Sequence, residues 1–416
     1  MRNVRYLVTV LVLGIVLGAG AQTLDGKKIH MKAGEVESLN VPLTLKSDVA
    51  STDDVLKVLE AKTGKLFPAT LRNGDLVFIS EGAMPKTEHE YTVKVEKKTP
   101  AYAPHVLITK QEGKAILDIL VDDKLFTSYH YGAEWKKPFL WPVNSEGDVP
   151  LTRDFPMKQD GPLSSPKDHP HQKSMWTAYG AVNGVDCWAE GEGSGFQVSG
   201  DPTFGSGDAY GWIAVTNVWQ DKDHKPVITE SREYRFYAMP EKGRMIDVFV
   251  TFSADYGDIT FKDTKEGGII SVRMRPDMCE NYKAHPGVIT NAFGENGMAK
   301  CWGKPSPWID YSGEINDVGW RGISFFDNPA NLRYPTSWHV RDYGLMGANC
   351  FGWSEFTKMD YNKPLLPSNN GDYSFKSGEK LAFTYRVYVH SGDVTKSAVA
   401  DRYADYKTPP QVEWVK

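Results

Sequence analysis

The stretch that decides the fold is Gly211-Trp-Ile-Ala-Val-Thr-Asn-Val218, followed by Val227-Ile-Thr-Glu-Ser-Arg-Glu-Tyr-Arg-Phe-Tyr-Ala-Met239 and Arg244-Met-Ile-Asp-Val-Phe-Val-Thr-Phe-Ser-Ala254. Apolar and polar side chains alternate along these segments, and Asp221-Lys-Asp separates the first two. Period-two alternation bounded by turn residues predicts β-strands. The sequence therefore predicts a sheet of long strands in the middle of the chain.

The same signal recurs on both sides of this region. Residues 115–121 and 124–131 predict a strand pair that turns at Asp122-Asp123, and 319–326, 334–340 and 380–390 predict further strands. Residues 52–63 predict a hairpin turning at Thr63-Gly64, with a helix as the alternative. Only 397–406 predicts a fair helix.

These elements predict an all-β protein, a large twisted β-sandwich preceded by a small β module. Residues 98–104 look like a linker, so we assign 22–100 to the small module and 101–416 to the large sandwich that carries the site. One predicted strand places Glu230, Arg232, Tyr234 and Phe236 on a single face, which either lines a broad sheet or is solvated.

The N-terminus predicts export. Arg2 and Arg5 precede an apolar run from Leu7 to Leu17, and Ala19-Gly-Ala21 ends it, which is the pattern of a cleaved signal peptide over residues 1–21. We expect a periplasmic or secreted protein with no membrane span after cleavage, because no other stretch is long and apolar enough.

Charge and cysteine content exclude several classes of protein. Removing the two arginines from 48 basic and 53 acidic residues leaves 46 and 53, a net charge of −7, with no basic cluster. A nucleic-acid partner is therefore not expected. The cysteines Cys187, Cys279, Cys301 and Cys350 form no CxxC pair, which argues against a zinc ribbon, and their pairing is left open.

Three stretches carry the candidate chemistry. The first, residues 152–192, contains Arg153, His169, His171, Trp176, Asp186 and Trp188. It is dense in titratable and aromatic groups and broken by Pro and Gly, which is typical of functional loops. His169 and His171 flank Pro170, so an extended backbone would point both imidazoles the same way.

The second stretch is Phe261-Lys-Asp-Thr-Lys-Glu-Gly-Gly268, where Asp263 and Glu266 are candidate acid/base groups beside Lys265. A charged hairpin tip is an equally good interpretation. Arg273, on the following strand, could hold an anion or pair with Glu266.

The third stretch runs from Arg333 to Gly344. Alternation places Trp338 on one face, and His339, Arg341 and Tyr343 on the other. Aromatic walls beside carboxylates and imidazoles suit sugars.

Six motifs together carry a resemblance to a known family: Thr152-Arg-Asp-Phe-Pro-Met157, Asp168-His-Pro-His171, Val182-Asn-Gly-Val-Asp186, Asp263-Thr-Lys-Glu-Gly-Gly268, Trp308-Ile-Asp-Tyr-Ser-Gly313 and Pro335-Thr-Ser-Trp-His-Val-Arg-Asp-Tyr-Gly-Leu345. Through these motifs the chain resembles an exported bacterial family labelled PmoA-like, over about residues 102–395. A true methane oxygenase subunit needs spanning helices, so that literal function is rejected. The family resembles galactose-mutarotase-like supersandwiches, which implies a carbohydrate ligand. Gln172 and Lys173 depart from the family's usual His-Arg, and Cys350 from its usual Pro.

The leading hypothesis is a carbohydrate-active enzyme that cleaves or isomerises a glycan or sugar, resembling a glycoside hydrolase. Its candidate catalytic groups are His169, His171, Asp263, Glu266 and His339. Its candidate substrate-binding residues are Arg153, Trp176, Asp186, Trp188, Lys265, Arg273, Trp338, Arg341 and Tyr343. No cofactor is predicted. Two alternatives stay open: a non-catalytic glycan-binding protein, and a metal-dependent lyase or epimerase with a divalent ion at His169 and His171.

Overall fold

The computed structural model describes residues 21–34, 37–239, 243–366 and 370–416. The predicted signal peptide therefore lies outside the described residues, except for Ala21. Ala21–Leu24 is a short 3₁₀ helix, and no helix of the described residues is long and apolar enough to cross a membrane.

Strands dominate the described chain. The N-terminal strands are β1 (Lys28–Lys32), β2 (Pro42–Lys46), β3 (Val55–Glu60), β4 (Leu66–Arg72), β5 (Asp75–Ile79) and β6 (Glu88–Glu96). The next are β7 (Val106–Lys110), β8 (Ile116–Val121), β9 (Lys124–His130), β10 (Phe139–Ser145), β11 (Val149–Pro150), β12 (Met175–Tyr179), β13 (Phe196–Ser199) and β14 (Thr203–Gly205). Long strands follow: β15 (Tyr210–Gln220), β16 (Pro226–Tyr237) and β17 (Arg244–Ser253).

The C-terminal half continues the pattern. Its strands are β18 (Ile259–Phe261), β19 (Gly267–Arg273), β20 (Val288–Asn291), β21 (Trp308–Ile315), β22 (Gly319–Asp327), β23 (Trp338–Val340), β24 (Leu345–Ala348), β25 (Tyr373–Phe375), β26 (Lys380–Ser391) and β27 (Gln411–Trp414). Its helices are α1 (Met298–Cys301), α2 (Trp353–Phe356) and α3 (Val399–Lys407), with 3₁₀ turns at Pro276–Met278 and Asp360–Asn362.

Within the described residues, two nine-stranded antiparallel sheets form the sandwich. The front sheet has the order β23-β24-β19-β12-β10-β9-β8-β7, with β11 beside β10. The back sheet has the order β13-β15-β16-β17-β26-β22-β21-β20, with β14 beside β15. Alternate side chains of both sheets, such as Met175 and Val272 in front and Ile213 and Val248 behind, bury one continuous apolar core. The all-β sandwich prediction is confirmed.

The strand face of β16 that carries Glu230 and Arg232 points into this core and is not solvated. Glu230 and Arg232 are fully buried, and the Arg232 guanidinium donates to both carboxylate oxygens of Glu230. Glu230 also accepts from the indole of Trp219, and Arg232 donates to the hydroxyl of Tyr234. The buried charges of Glu230 and Arg232 are therefore paired and hydrogen-bonded between the two sheets, and we call this group of side chains the polar island.

The N-terminal sheet has the order β2-β5-β4-β3-β6-β1-β27 in the described part of the chain. The hairpin expected near Thr63-Gly64 is present as β3 and β4. The sheet differs from the predicted module, residues 22–100, because its edge strand β27 comes from the C-terminus. Arg72 in β4 donates two hydrogen bonds to Glu233 of the sandwich and stacks on Trp212 at 3.6 Å.

Two local predictions were wrong. The strand expected over 334–340 is formed only by Trp338–Val340, because Arg333 has a left-handed φ of 59° and Pro335 has no N–H for a ladder. The extended backbone expected at the histidine loop is a turn instead. His169 has a φ of 42°, and its carbonyl accepts from the N–H of Gln172.

Candidate functional site

The candidate site lies on the outer face of the front sheet, opposite the sandwich core. Strand register aligns one row of side chains across this face. The row is His130, Phe139, Trp176, Ser271, Gly347 and His339. The two smallest members lie together, and a Cβ on Gly347 would come within 2.8 Å of the Ser271 hydroxyl. The row therefore leaves room above the sheet between Trp176 and His339.

Trp188 fills that room from the loop that follows β12. Its ring lies 5.5 Å from the ring of Trp176 and 6.1 Å from that of His339, measured between centroids. The Asp186 carboxylate fixes the loop by accepting the backbone N–H groups of Trp188 and Ala189 at 2.8 and 3.0 Å. Asp186 thus positions Trp188.

Two buried arginines hold the histidine loop. Arg153 and Arg273 both donate to the same oxygen of Asp168, which is partly exposed. Arg153 also donates to the carbonyls of Pro166 and His169. Burial, and then the positive charge of Arg273, lower the pKa of Arg153 to about 10. Arg153 and Arg273 therefore form a structural lock on this loop and are not two free cations.

The lock presents His169 and His171 at the surface of the site. The two rings meet edge to face at 5.4 Å, and His169 stacks on Tyr343 at 5.2 Å. Tyr343 in turn lies against the guanidinium of Arg273 at 4.4 Å. His169 is exposed and His171 half-buried, so both imidazoles can meet a ligand.

Both imidazoles are neutral at physiological pH. Burial lowers the pKa of His171 to about 3, and the nearby Lys137 ammonium adds to this effect. Burial also lowers the pKa of His169, where the charge of Asp168 opposes the shift and that of Arg273 adds to it. A neutral imidazole carries one N–H donor and one acceptor nitrogen, so each ring can accept a proton.

A second charged cluster lies below His171. Glu190 pairs with the buried ammonium groups of both Lys137, at 2.9 Å, and Lys173. Lys137 also donates to the carbonyl of Trp188, and Lys173 to that of Pro170. Burial lowers the pKa of Lys173 to about 8, opposed by Glu190. The carboxyl of Glu190 keeps a lowered pKa despite its own burial, because two ammonium groups face it.

His339 is buried at the far end of the row. Neither ring nitrogen makes a hydrogen bond of ordinary geometry in the described structure, although the backbone at Lys265 and Gly267 lies beside the ring. Burial, with the charges of Arg341 and Lys265, lowers the pKa of His339 to about 3. Lys265 pairs with Glu266, and Arg341 stacks on Trp302 at 5.1 Å. Glu266 lies close enough to His169 for its charge to act on that ring.

Several predicted site residues do not line an open surface. Trp338 is wholly buried in the core between the sheets and donates to the carbonyl of Ser306. Trp176 and Trp188 are 1% and 2% exposed, so neither offers a face on which a sugar could stack. Asp263 accepts the backbone N–H groups of Ser354 and Gly371, which makes it a clamp between two loops.

Three residues that the structure brings to the site were not predicted from the sequence. Lys137 is buried against Glu190, and Trp135 and Trp141 are half-buried aromatics packed on the same outer-face cluster as Trp176. Lys173 lies 5.4 Å from the ring of Trp135. The alternation of β10 places Trp141 beside Phe139 on this face, and that was the available signal.

A grouping of side chains that would hold a metal ion is absent from the part of the chain that the structure describes. Across the residues it describes, no three His, Cys, Asp or Glu side chains are arranged as a metal site. The cofactor prediction remains untested. The cysteines, all within the described ranges, are buried and unpaired.

Fold and site together define a β-sandwich protein with a polar, imidazole-bearing site on one outer face. The chain belongs to a family of unknown function, DUF6807, whose model matches residues 116–404. No curated protein is detectably similar to it.

Two solved structures are similar at low identity. One is an alpha-mannosidase from Enterococcus faecalis, with a TM-score of 0.41 and 7% identity, covering 94% of this chain and 46% of that one. The other is a protein in the glycosyl hydrolase family 38 from Enterococcus faecalis, with a TM-score of 0.40 and 8% identity, covering 94% of this chain and 47% of that one. This chain spans about half the length of either. The PmoA-like resemblance remains a prediction.

Proposed function

We propose that the outer-face site binds a carbohydrate and carries out proton-transfer chemistry on it, with His171 and His169 as the acid/base groups. The observation that supports this most directly is the pairing of two neutral imidazoles, one exposed and one half-buried, on a loop locked by Arg153 and Arg273. A neutral imidazole held in one orientation has one nitrogen that can accept a proton from a bound ligand.

The carboxylates near the site are each paired with cationic side chains, which favours chemistry by the imidazoles over hydrolysis by two carboxylates. Asp168 is bound by two arginines, Glu190 by two lysines, and Glu266 by Lys265. Hydrolysis by a carboxylate pair needs one carboxyl group that keeps its proton to protonate the leaving group. Each of these carboxylates is instead engaged by cationic side chains, and the two ammonium groups that face Glu190 lower its pKa despite its burial. Isomerisation or elimination, which begins with removal of a proton, fits the imidazoles better.

The partly exposed aromatics suit a sugar ring. Trp135, Trp141 and Tyr343 are half-buried around the site and take over the stacking role predicted for the buried tryptophans. Sugar C–H faces pack on such rings while hydroxyl groups find polar partners nearby.

The proposal is tested by His171→Gln, with His105→Gln as the matched control because His105 is exposed and pairs with Asp122 away from the site. The wild-type chain is incubated in D₂O with reducing sugars and oligosaccharides, and C–H exchange and products are followed by NMR and mass spectrometry. We expect His171→Gln to lower turnover by at least about 100-fold, while His105→Gln has no effect. Unchanged turnover in His171→Gln would refute the role of His171.

A non-catalytic glycan-binding protein is the second candidate, favoured by the shallow position of His169 and Tyr343 at the surface. It predicts saturable sugar binding in the wild type with no exchange and no product. The same NMR experiment separates the two functions.

We also propose that the chain is exported, as the pattern of residues 1–21 predicts. N-terminal sequencing of the protein recovered from culture medium and periplasm should begin at Gln22. An intact Met1 in those fractions would contradict cleavage.

A further inference from the structure

We propose that the outer-face site selects sugars with an acidic substituent, a carboxylate or a sulfate, over neutral sugars. This inference rests on the proposed carbohydrate function and names its substrate class. Its basis is an uncompensated positive charge built into the layer beneath the histidines.

The charge comes from two clusters, each made of two cationic side chains and one carboxylate. In each, two buried cations share one carboxylate: Lys137 and Lys173 share Glu190, and Arg153 and Arg273 share Asp168. All four cations are at most 2% exposed, whereas the two carboxylates are 14% and 38% exposed. Four buried positive charges therefore face two negative ones.

The two clusters meet at one loop. Lys173 lies just after the loop and donates to the carbonyl of Pro170, and Arg153 donates to that of His169. The excess charge of both clusters thus converges on the segment that carries His169 and His171. The chain as a whole is acidic, with a net charge of −5, so this is a local feature rather than a generally basic surface.

A buried excess of charge is costly unless a ligand or partner balances it. The carboxylate of Asp186 also acts on the Lys137 ammonium and offsets part of the excess, so that three carboxylates face the four cations. Glu266 is already paired with Lys265. An anionic ligand at the rim would supply the missing negative charge.

The rim is suited to direct contact with such a ligand. The imidazoles of His169 and His171 can each donate one hydrogen bond to a carboxylate or sulfate oxygen. The ammonium groups of Lys137 and Lys173 act from the layer below, through a medium that screens them less than water does. The rim contributes hydrogen bonds, and the buried layer contributes the preference for an anion.

Protection from diethyl pyrocarbonate tests the inference without requiring turnover, because the reagent modifies exposed imidazoles such as His169. The probes are glucuronate, galacturonate, their methyl esters, glucose 6-sulfate, glucose and galactose, and modification of His169 is read by mass spectrometry. We expect the acidic sugars to protect His169 and the esters and neutral sugars not to. Protection by uronates alone or by the sulfate alone identifies which anion is preferred.

The matched variant is Lys137→Met, with the exposed Lys222→Met as its control. Losing one of the two lysines leaves a neutral Lys173–Glu190 pair, so the variant should fold. We expect Lys137→Met to weaken protection by the acidic sugar by about 10- to 100-fold, and Lys222→Met to behave as wild type. Raising the salt concentration should also weaken protection in the wild type.

Equal protection by an acid and its methyl ester would overturn the inference, and so would the absence of protection by every acidic probe. Neither result decides the proposed function, since turnover of a neutral sugar that depends on His171 would leave that function standing. Conversely, protection by uronates without any turnover would support the inference and favour the glycan-binding alternative.

Discussion

The rings of Trp188 and His339 stack with 6.1 Å between centroids and 27° between planes, although one residue belongs to a loop and the other to β23. Trp188 also touches His171 at 6.0 Å and Trp176 at 5.5 Å. The indole therefore joins three parts of the site over the small residues Ser271 and Gly347. Because the Trp188 ring contacts both His171 and His339, its packing affects the stability of the protein and the position of the imidazoles.

Trp188→Ala should destabilise the protein strongly. The indole is buried among aromatic rings, so its removal leaves a cavity on the outer face, at a cost of about 3–5 kcal/mol. Urea unfolding followed by circular dichroism measures this change in the free energy of unfolding. Phe293→Ala is the control, because that ring is 60% exposed and its loss should cost less than about 0.5 kcal/mol. Equal effects of the two variants would show that Trp188 does not organise the site.

Replacing His339 with Gln should change how stability depends on pH. The folded pKa of His339 is lowered to about 3, whereas the unfolded chain protonates near 6.5. The stability that the neutral ring contributes is therefore complete above about pH 6.5 and is lost as the pH falls towards 3. At pH 5 the wild type should have lost about 2 kcal/mol that His339→Gln does not lose.

This comparison isolates His339 because other titrating groups are common to both proteins. Asp327 and Asp405 are buried acids whose pKa values are raised to about 7 and about 6, and they act in the opposite direction in each protein. Thermal or urea unfolding at a series of pH values gives the difference between the two proteins. A difference that is constant from pH 7 to pH 5 would show that His339 is not held neutral.

Asp168→Asn should loosen the histidine loop. Arg153 and Arg273 would then face each other without the carboxylate between them, at a cost of up to about 3 kcal/mol, moderated because Asp168 is partly exposed. Hydrogen exchange at the backbone amides of residues 169, 171 and 172 should become faster. Adding Arg153→Met removes the repulsion, so the double variant should regain part of the lost stability. No gain from the second substitution would mean that charge is not the cause.

The sequence predicted the strands better than the site. Period-two alternation located β15, β16 and β17, and the turns at Thr63-Gly64 and Asp122-Asp123, because these depend on local patterns. It also separated Trp338 from His339, which do lie on opposite faces of β23. Local rules fail where a proline and a left-handed residue interrupt the pattern, as at Arg333.

The site could be predicted only as a set of residues near one another in the sequence. The front sheet joins β12 to β19 and β24, so the row from Trp176 to His339 depends on non-local register. The pairing of Lys137 with Glu190 has no sequence signature. Burial of the tryptophans likewise follows from packing between distant segments, which is why the sequence assigned a stacking role to rings that the structure buries.

Glu230→Gln tests the polar island in the core, far from the proposed chemistry. Arg232 would keep a full charge with no carboxylate partner, at a cost of about 3–5 kcal/mol. Glu314→Gln is the control, since Glu314 is exposed on β21. Combining Glu230→Gln with Arg232→Met should restore most of the lost free energy of unfolding, because Gln can still accept from the indole of Trp219. A double variant as unstable as Glu230→Gln would contradict this account.

Binding of acidic sugars should weaken as the solution becomes alkaline. The pKa of Lys173 is lowered to about 8, first by burial and then by the ammonium of Lys137, against the opposing charge of Glu190. Above that value Lys173 loses its proton, and the cluster with Glu190 loses its excess positive charge. His169 and His171 stay neutral through this range because their pKa values are lowered. The protection of His169 by glucuronate should therefore fall by about tenfold between about pH 7 and about pH 9.5. Lys173→Arg, whose guanidinium stays charged, should keep its protection throughout, and a parallel loss in this variant would point to a cause other than the charge of Lys173.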